Sequence, residues 1–335
     1  MAMNRNTGIG IAVAVIVLVV LIGFGGWYLA GSEKNTAIPV TVGLAPVDNS
    51  ALFYIAEDQH FFRDNGLAVT LRDYNPPAAG VTGMLDGEVD MASSTEYPVV
   101  LNAFRSRNFS VITRYNEIEI VYLIGLKDHG IVNISDLMGK KVGVTRGTIG
   151  EYDLGMFLTL HGMNISDVTL VDVQPGQFDT ALASGGIDAL VCWQPYSGEI
   201  TGHMGERVVA WPAQSDQPLY AVLVARNDWI ARNPGLAEKF LKSLDMAAGY
   251  AAVHPAEAQA IVGKHLDLSD SYMASAWPGN HFSLSLDQSL VLAMEDEARW
   301  MIANNLTNAT AVPDFGKYIY PDALNAVKPG SVNLF

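Results

Sequence analysis

The sequence predicts two similar α/β lobes set behind one apolar N-terminal span. This reading rests on a repeat at a spacing of 98 to 100 residues, the alternation of strand and helix patterns within each copy, and a charge-free stretch near the start. Alternation of that kind is the signature of βαβ units around a parallel sheet.

From Gly8 to Ser32 no residue is charged, and Ile9 to Val20 is almost wholly Ile, Val, Leu and Ala. At ~1.5 Å per residue, a helix of that length spans the ~30 Å hydrocarbon core of a bilayer. A cleaved signal would have a shorter apolar run and a small-x-small exit. Here the exit reads Trp27-Tyr28-Leu29-Ala30-Gly31, with Tyr28 where a small residue belongs, so a retained anchor is expected. Trp27 and Tyr28 suit the interfacial belt, and Arg5 places positive charge ahead of the span, although Lys34 weakens the asymmetry. The expected order is a cytoplasmic N-terminus at 1–7, a transmembrane helix at 8–31, a polar linker at 32–37 and an exterior remainder.

The first copy of the repeat opens with the β-rich run Val40 to Leu44, passes through a turn-rich loop from Ala45 to Ser50, and continues with a helical pattern from Ala51 to Phe62. Gly66 ends that helix, Val69-Thr70-Leu71 reads as a strand, and Leu85 to Asp90 closes the unit. The second copy has Lys141 to Val144, a loop from Thr145 to Gly150, a helical pattern to about Gly162, Val168-Thr169-Leu170, and a close from Leu182 to Asp188. Val42-Gly43 matches Val142-Gly143, and Gly87 with Asp90 matches Gly185 with Asp188.

The chain has 335 residues, 50% hydrophobic and 16% charged, enough for one or two good cores. Its net charge of −15 argues against nucleic acid or an anionic lipid surface as partner. The single cysteine, Cys192, excludes an internal disulfide framework and a cysteine-based zinc site, and the seven histidines show no HxxxH or HExxH spacing. No metal or other cofactor is expected.

In open parallel sheets, ligands sit beyond the carboxyl ends of the strands, where helix N-termini present free N–H groups. That rule selects four segments: Asp48-Asn49-Ser50 and Ser93-Ser94-Thr95-Glu96 in the first lobe, and Thr148-Ile149-Gly150 with Tyr152 and Trp193-Gln194 with Tyr196 in the second. They are rich in hydroxyls, amides, glycine and aromatic rings, the groups that solvate a small polar ligand. None contains a nucleophile paired with a base, so no catalytic residues are assigned. Asp48, Glu96 and Glu151 sit uneasily with a purely anionic ligand. They either favour helix N-termini while facing solvent, or one of them meets an ammonium or ring N–H. Arg299-Trp300 and Tyr318-Ile319-Tyr320 read as helix packing on the first lobe.

Phe53-Tyr54-Ile55-Ala56, Phe61-Phe62, Asn65-Gly66-Leu67, Gly87-Glu88-Val89-Asp90 and Ser135 to Val144 add further motifs. With Asp188-Ala189, Trp193-Gln194-Pro195-Tyr196, the long helical run Phe240 to Tyr250, and His254-Pro255-Ala256-Glu257-Ala258, they cover roughly residues 38 to 329. Across these the chain resembles the periplasmic substrate-binding proteins of ABC importers for nitrate, sulfonate, taurine and thiamine-pyrimidine precursors. Gln194 stands where the family commonly has Glu.

The resemblance implies a type II periplasmic binding protein fold, two α/β lobes joined by two crossover strands, with lobe one at 38–126 and 219–335, lobe two at 127–218, and the hinge strands near Ile124 to Lys127 and Leu219 to Val222. It also implies a monomer that is not an enzyme, closes on a small-molecule ligand, and delivers it to an ABC permease and its ATPase. A sulfonate or taurine-like ligand is favoured, with a thiamine pyrimidine precursor, nitrate or bicarbonate as alternatives. From other classes come a pyrimidine-synthase-like enzyme and a tethered ligand sensor.

Overall fold

The computed structural model describes residues 37–76, 78–105, 108–214 and 217–334. The cytoplasmic segment 1–7, the anchor 8–31 and all but the last residue of the linker 32–37 lie outside them. Among the described residues no helix is long and apolar enough to cross a membrane.

The first lobe begins with β1 (Ile38–Leu44), a turn of 3-10 helix (Asp48–Ser50), α1 (Ala51–Asp58), α2 (Phe61–Asp64), β2 (Leu67–Asp73), α3 (Ala78–Asp86), β3 (Met91–Thr95), α4 (Glu96–Ala103) and β4 (Phe109–Ile118). The second follows with β5 (Val121–Leu126), β6 (Lys141–Val144), α5 (Ile149–Leu160), β7 (Thr169–Asp172), α6 (Phe178–Ala183), β8 (Ala189–Trp193), α7 (Tyr196–Met204) and β9 (Val208–Pro212). The chain returns through β10 (Leu219–Arg226) into α8 (Asn227–Arg232), α9 (Pro234–Val253), α10 (Pro255–Leu266), α11 (Asp270–Ala276), β11 (Leu286–Asp287), α12 (Gln288–Ala303), α13 (Asp322–Val327) and β12 (Val332–Asn333). The returning helices cover the first lobe, with α9 against α1 and α12 against α4.

Two five-stranded sheets have matching plans, β2-β1-β3-β10-β4 and β7-β6-β8-β5-β9. In the first, Val42 of β1 pairs in parallel with Met91 of β3; in the second, Val142 of β6 pairs in parallel with Ala189 of β8. β10 and β8 are apolar runs buried on both faces, as strands covered by helices on both sides must be, whereas at the edges β2 alternates and β7 is nowhere fully buried.

Neither sheet is wholly parallel, which the βαβ pattern alone had suggested. β5 runs antiparallel to β8 and β9, and β10 antiparallel to β3 and β4. Each enters its sheet from the other lobe, starting at the cleft and running away from it, while β3 and β8 run toward the cleft.

The hinge also lies earlier in both passes than expected. β5 already belongs to the second sheet from Val121, so the first crossing falls between Ile118 and Val121, and the second between Pro212 and Leu219. One amide ties the two crossings together. Gln214 Oε1 accepts the N–H groups of Ile120 and Val121, and its Nε2 donates to the Ile118 carbonyl at 3.0 Å and the Gln217 carbonyl at 3.1 Å.

The matched acidic residues of the repeat do the same work in each lobe. Asp90 accepts the N–H of Thr41 at 2.8 Å, and Asp188 accepts that of Lys141 at 2.8 Å, so each carboxylate bonds the strand that lies beside its own. Gly87 and Gly185, three residues before, turn the chain at φ 83° and 69°, a region that costs little only for glycine.

Candidate functional site

The carboxyl ends of β1, β3, β6 and β8 meet between the lobes around a small apolar cavity of about 30 Å³. Val47, Asn49, Ala78, Thr95, Pro98 and Leu219 form one wall, and Ile120, Val121, Thr148, Ile149 and Trp193 form the other. None of these side chains is charged. A space of that size holds about two waters, so a larger solute seated there has to part the two walls.

Two long enough helices start at this cavity from opposite sides, α4 behind Thr95 and α5 behind Thr148. Of their first turns, α4 has no N–H at Pro98 and its Glu96 N–H is met by that residue's own carboxylate, while the Glu151 N–H of α5 goes to the Thr148 carbonyl at 3.1 Å. That leaves the N–H groups of Tyr97, Ile149 and Gly150 as the ones without a helical acceptor. Thr148 Oγ1 is itself committed, donating to the Thr145 carbonyl at 2.7 Å.

A second cavity of about 240 Å³ adjoins the first and shares Ile149 and Leu219 with it. Its character is acidic. Glu96 and Glu297 come from the first lobe and Asp153 from the second, with Tyr152, Tyr220, Gln214 and Ser289 around them. Glu96 Oε1 accepts the Tyr220 N–H at 3.0 Å, whereas Glu96 Oε2, Asp153 Oδ2 and Glu297 Oε2 are buried without a hydrogen-bond partner. Burial pushes Glu96 up from its ordinary 4.5 to about 8. Asp153 is raised well above the usual carboxylate range by burial and then by the charge of Glu96; Glu297 is raised by burial and then by Glu96, Asp153 and Asp296.

The lobes also touch through aromatic rings. Trp300 of α12 meets Tyr152 of α5 edge to face at 5.5 Å, and Tyr97 of α4 lies 6.4 Å from Trp300 and 6.3 Å from Tyr152. Gly155 makes the contact possible, since a Cβ there would sit 2.2 Å from Trp300 Cζ2. Trp300 therefore reaches the second lobe, beyond the packing on the first that its sequence context suggested; Arg299 pairs with Glu295 and Asp296 on its own helix. Asn75 Nδ2 donates to Tyr196 Oη at 2.9 Å, a further bond across the cleft.

Of the residues chosen by strand position, Asn49, Thr95, Thr148, Ile149 and Trp193 line the apolar cavity, and Glu96, Ile149 and Tyr152 the acidic one. Others face elsewhere. Ser50 donates to the Ala45 carbonyl at 2.9 Å and closes its own loop, Ser93 is bonded to Tyr115 Oη at 2.6 Å, and Gly150 packs on Val191. The Gln194 amide lies over Gly198 of the helix that follows it, with its oxygen buried and unpartnered, and Asp48 is buried with both carboxylate oxygens unpartnered. Burial raises the Asp48 pKa. Ser94 is buried with its hydroxyl unpartnered. Glu151, which read as a possible cation partner, instead pairs with Arg146 at 2.9 Å and accepts the Gly147 N–H.

Asp153 and Glu297 were missed. Glu297 stands in the run Glu295-Asp296-Glu297, which reads as a solvated face, yet it falls on the buried stripe of Leu290, Met294, Ala298 and Met301. That helical spacing was the available signal. Among the described residues no group of three or more His, Cys, Asp or Glu side chains is arranged to hold a metal ion.

Comparison with known proteins agrees with this architecture. The family described as NMT1/THI5 like matches residues 48–258. A 4-amino-5-hydroxymethyl-2-methylpyrimidine phosphate synthase of Aspergillus parasiticus is 27% identical, over 62% of this chain and 64% of that protein. The taurine-binding periplasmic protein of Escherichia coli is 25% identical, over 56% of this chain and 58% of its own length. Among solved structures, the alkanesulfonate-binding protein SsuA of Xanthomonas axonopodis pv. citri, bound to MOPS, superposes with a TM-score of 0.75 at 13% identity, covering 84% of this chain and 98% of that one. The two-lobed periplasmic binding protein fold is thereby shared.

Proposed function

Because the chain belongs to the NMT1/THI5-like family, we propose that it is the extracytoplasmic solute-binding component of an ABC importer, and that its lobes close on a small sulfonate of the taurine type. The observation that carries this reading is the opposition of two helix N-termini, behind Thr95 and Thr148, across one cavity fed by both lobes. A sulfonate bridging them contacts both lobes only when the hinge is shut, so its binding free energy shifts the open–closed equilibrium. The closed form is what an ABC permease, driven by its ATPase, receives. The segment 8–31 anchors the domain, with lobe two between the crossings and the rest in lobe one.

A pyrimidine bearing an exocyclic amine is the second reading, favoured by the buried acceptors Glu96 and Asp153 beside the apolar wall. Nitrate and bicarbonate fit less well, since neither offers those carboxylates a cation. A thermal-shift panel on the full chain with taurine, alkanesulfonates, nitrate, bicarbonate and aminopyrimidines tests the proposal. A solute at ~100 times its dissociation constant adds about 2.7 kcal/mol of stability. Sulfonates that leave the transition unmoved while another class raises it overturn the ligand assignment, and chemical conversion of any binder overturns the importer reading.

A further inference from the structure

The acidic cavity has no part in holding a sulfonate, and its geometry points to a second kind of ligand group. Four carboxylates line it, Glu96 from α4, Asp296 and Glu297 from α12 and Asp153 from α5; Asp296 is paired with Arg299, which leaves three buried ones from three helices and both lobes. Their residues are 2%, 2% and 5% exposed, and each keeps one oxygen with no hydrogen-bond partner. A buried carboxylate oxygen without a donor costs free energy unless something supplies one. The neighbouring cations do not: Arg146 is paired with Glu151, and Arg114 with Glu117 and Asp287.

We propose that the cavity between α5 and α12 is a binding site for a primary ammonium group carried on a short apolar body, held by Glu96, Asp153 and Glu297. An ammonium has three N–H donors for three waiting oxygens. Leu292, Ala293 and Pro218 supply an apolar wall for the carbon chain, and about 240 Å³ is ample for a few methylenes. A bare metal ion fits poorly, because these carboxylates are not grouped in a metal-holding arrangement. Because the carboxylates come from both lobes, the cation, like the sulfonate, favours closure. The ammonium is either the amino end of the solute in the adjoining apolar cavity or a separate amine; in its first form the proposal rests on the sulfonate reading above.

The test is isothermal titration calorimetry of the full chain in detergent micelles with n-butylammonium, ethanesulfonate and taurine, repeated on Glu297→Gln and Asp153→Asn. Both substitutions keep shape, remove the ability to carry charge and put an NH2 donor in place of one acceptor oxygen. The expected result is butylammonium binding that weakens by at least about tenfold in each variant, with ethanesulfonate binding changed less than about twofold. If taurine weakens in parallel and displaces butylammonium, the cation is the amino end of the cleft solute; if taurine is indifferent to both variants, it is a separate amine.

No butylammonium binding to the unmodified chain, or equal binding to both variants, overturns the proposal. Absence of ethanesulfonate binding with butylammonium still captured and lost in Glu297→Gln removes the sulfonate reading and leaves the cation site standing. Should one variant fail to fold by circular dichroism, the other decides. Should both fail, butylammonium titrations of the unmodified chain in two buffers of different ionisation enthalpy decide: proton release on binding supports the site, and its absence overturns it.

Discussion

Glu96 Oε1 accepts the Tyr220 N–H at 3.0 Å, joining the first residue of the helix at the cleft to the strand that brings the chain back from the second lobe. The same residue lines the acidic cavity, and its other oxygen is buried without a hydrogen-bond partner. One carboxyl group thus connects hinge, cleft and cavity.

Its titration sets a pH dependence. With a folded pKa of about 8 against an ordinary 4.5, Glu96 keeps its proton in the native state where the unfolded chain has lost it. The native state then binds more protons than the unfolded one, so stability falls as pH rises through that window. Asp153 and Glu297, raised in the same direction, steepen the fall. Chemical denaturation between pH 5 and about 8 should show declining stability, and Glu96→Gln, which keeps an acceptor for Tyr220, should flatten the profile. A flat profile in the unmodified chain contradicts this.

Closure should be sensitive to Gly155. A methyl group there cannot share space with Trp300 Cζ2 at 2.2 Å, and relief requires either a displaced indole or parted lobes. Gly155→Ala is expected to disfavour the closed form by about 1–3 kcal/mol, read as a larger radius of gyration in small-angle scattering and weaker solute binding. Trp300→Ala added to it should restore compactness. Unchanged scattering for Gly155→Ala would show that the contact does not govern closure.

Ser94 separates binding from stability. Its hydroxyl is buried and unpartnered, so Ser94→Ala should leave the unfolding midpoint of the free protein equal or higher. Where the hydroxyl donates to a bound solute, affinity falls by about 1 kcal/mol. A lower midpoint with intact affinity would place Ser94 in the scaffold.

The repeat itself can be tested at Asp90 and Asp188. Each accepts a backbone N–H of the neighbouring strand, and Asp188 also bonds His129 Nδ1 at 2.7 Å. Asp90→Ala and Asp188→Ala should each cost about 1–3 kcal/mol in urea denaturation, with solute affinity little changed. A loss of affinity without a loss of stability would argue for a role in the site.

Much of the scaffold was legible because periodicity and turn chemistry are local. The positive-φ glycines Gly87 and Gly185, the strand pattern and the matched aspartates report interactions within one βαβ unit. Asn49, Thr95, Thr148 and Trp193 could be found as cavity residues because strand direction dictates which loop faces the cleft. Ser50 and Ser93 stood at equally suitable positions, yet they satisfy neighbours in their own lobe, and Gln194 keeps its amide oxygen buried without a partner, choices that rotamer and packing make.

The sequence by itself determined the two-lobed plan, the duplicated unit and the four strand ends that meet between the lobes, since these follow from short-range patterns of burial and turning. Tertiary structure alone decided where the chain crosses and which strands run antiparallel. It alone brought Glu96, Asp153 and Glu297 to one cavity and seated Trp300 on Gly155. Those relationships join residues more than 50 positions apart, and only the docking of one lobe on the other gives them a common space.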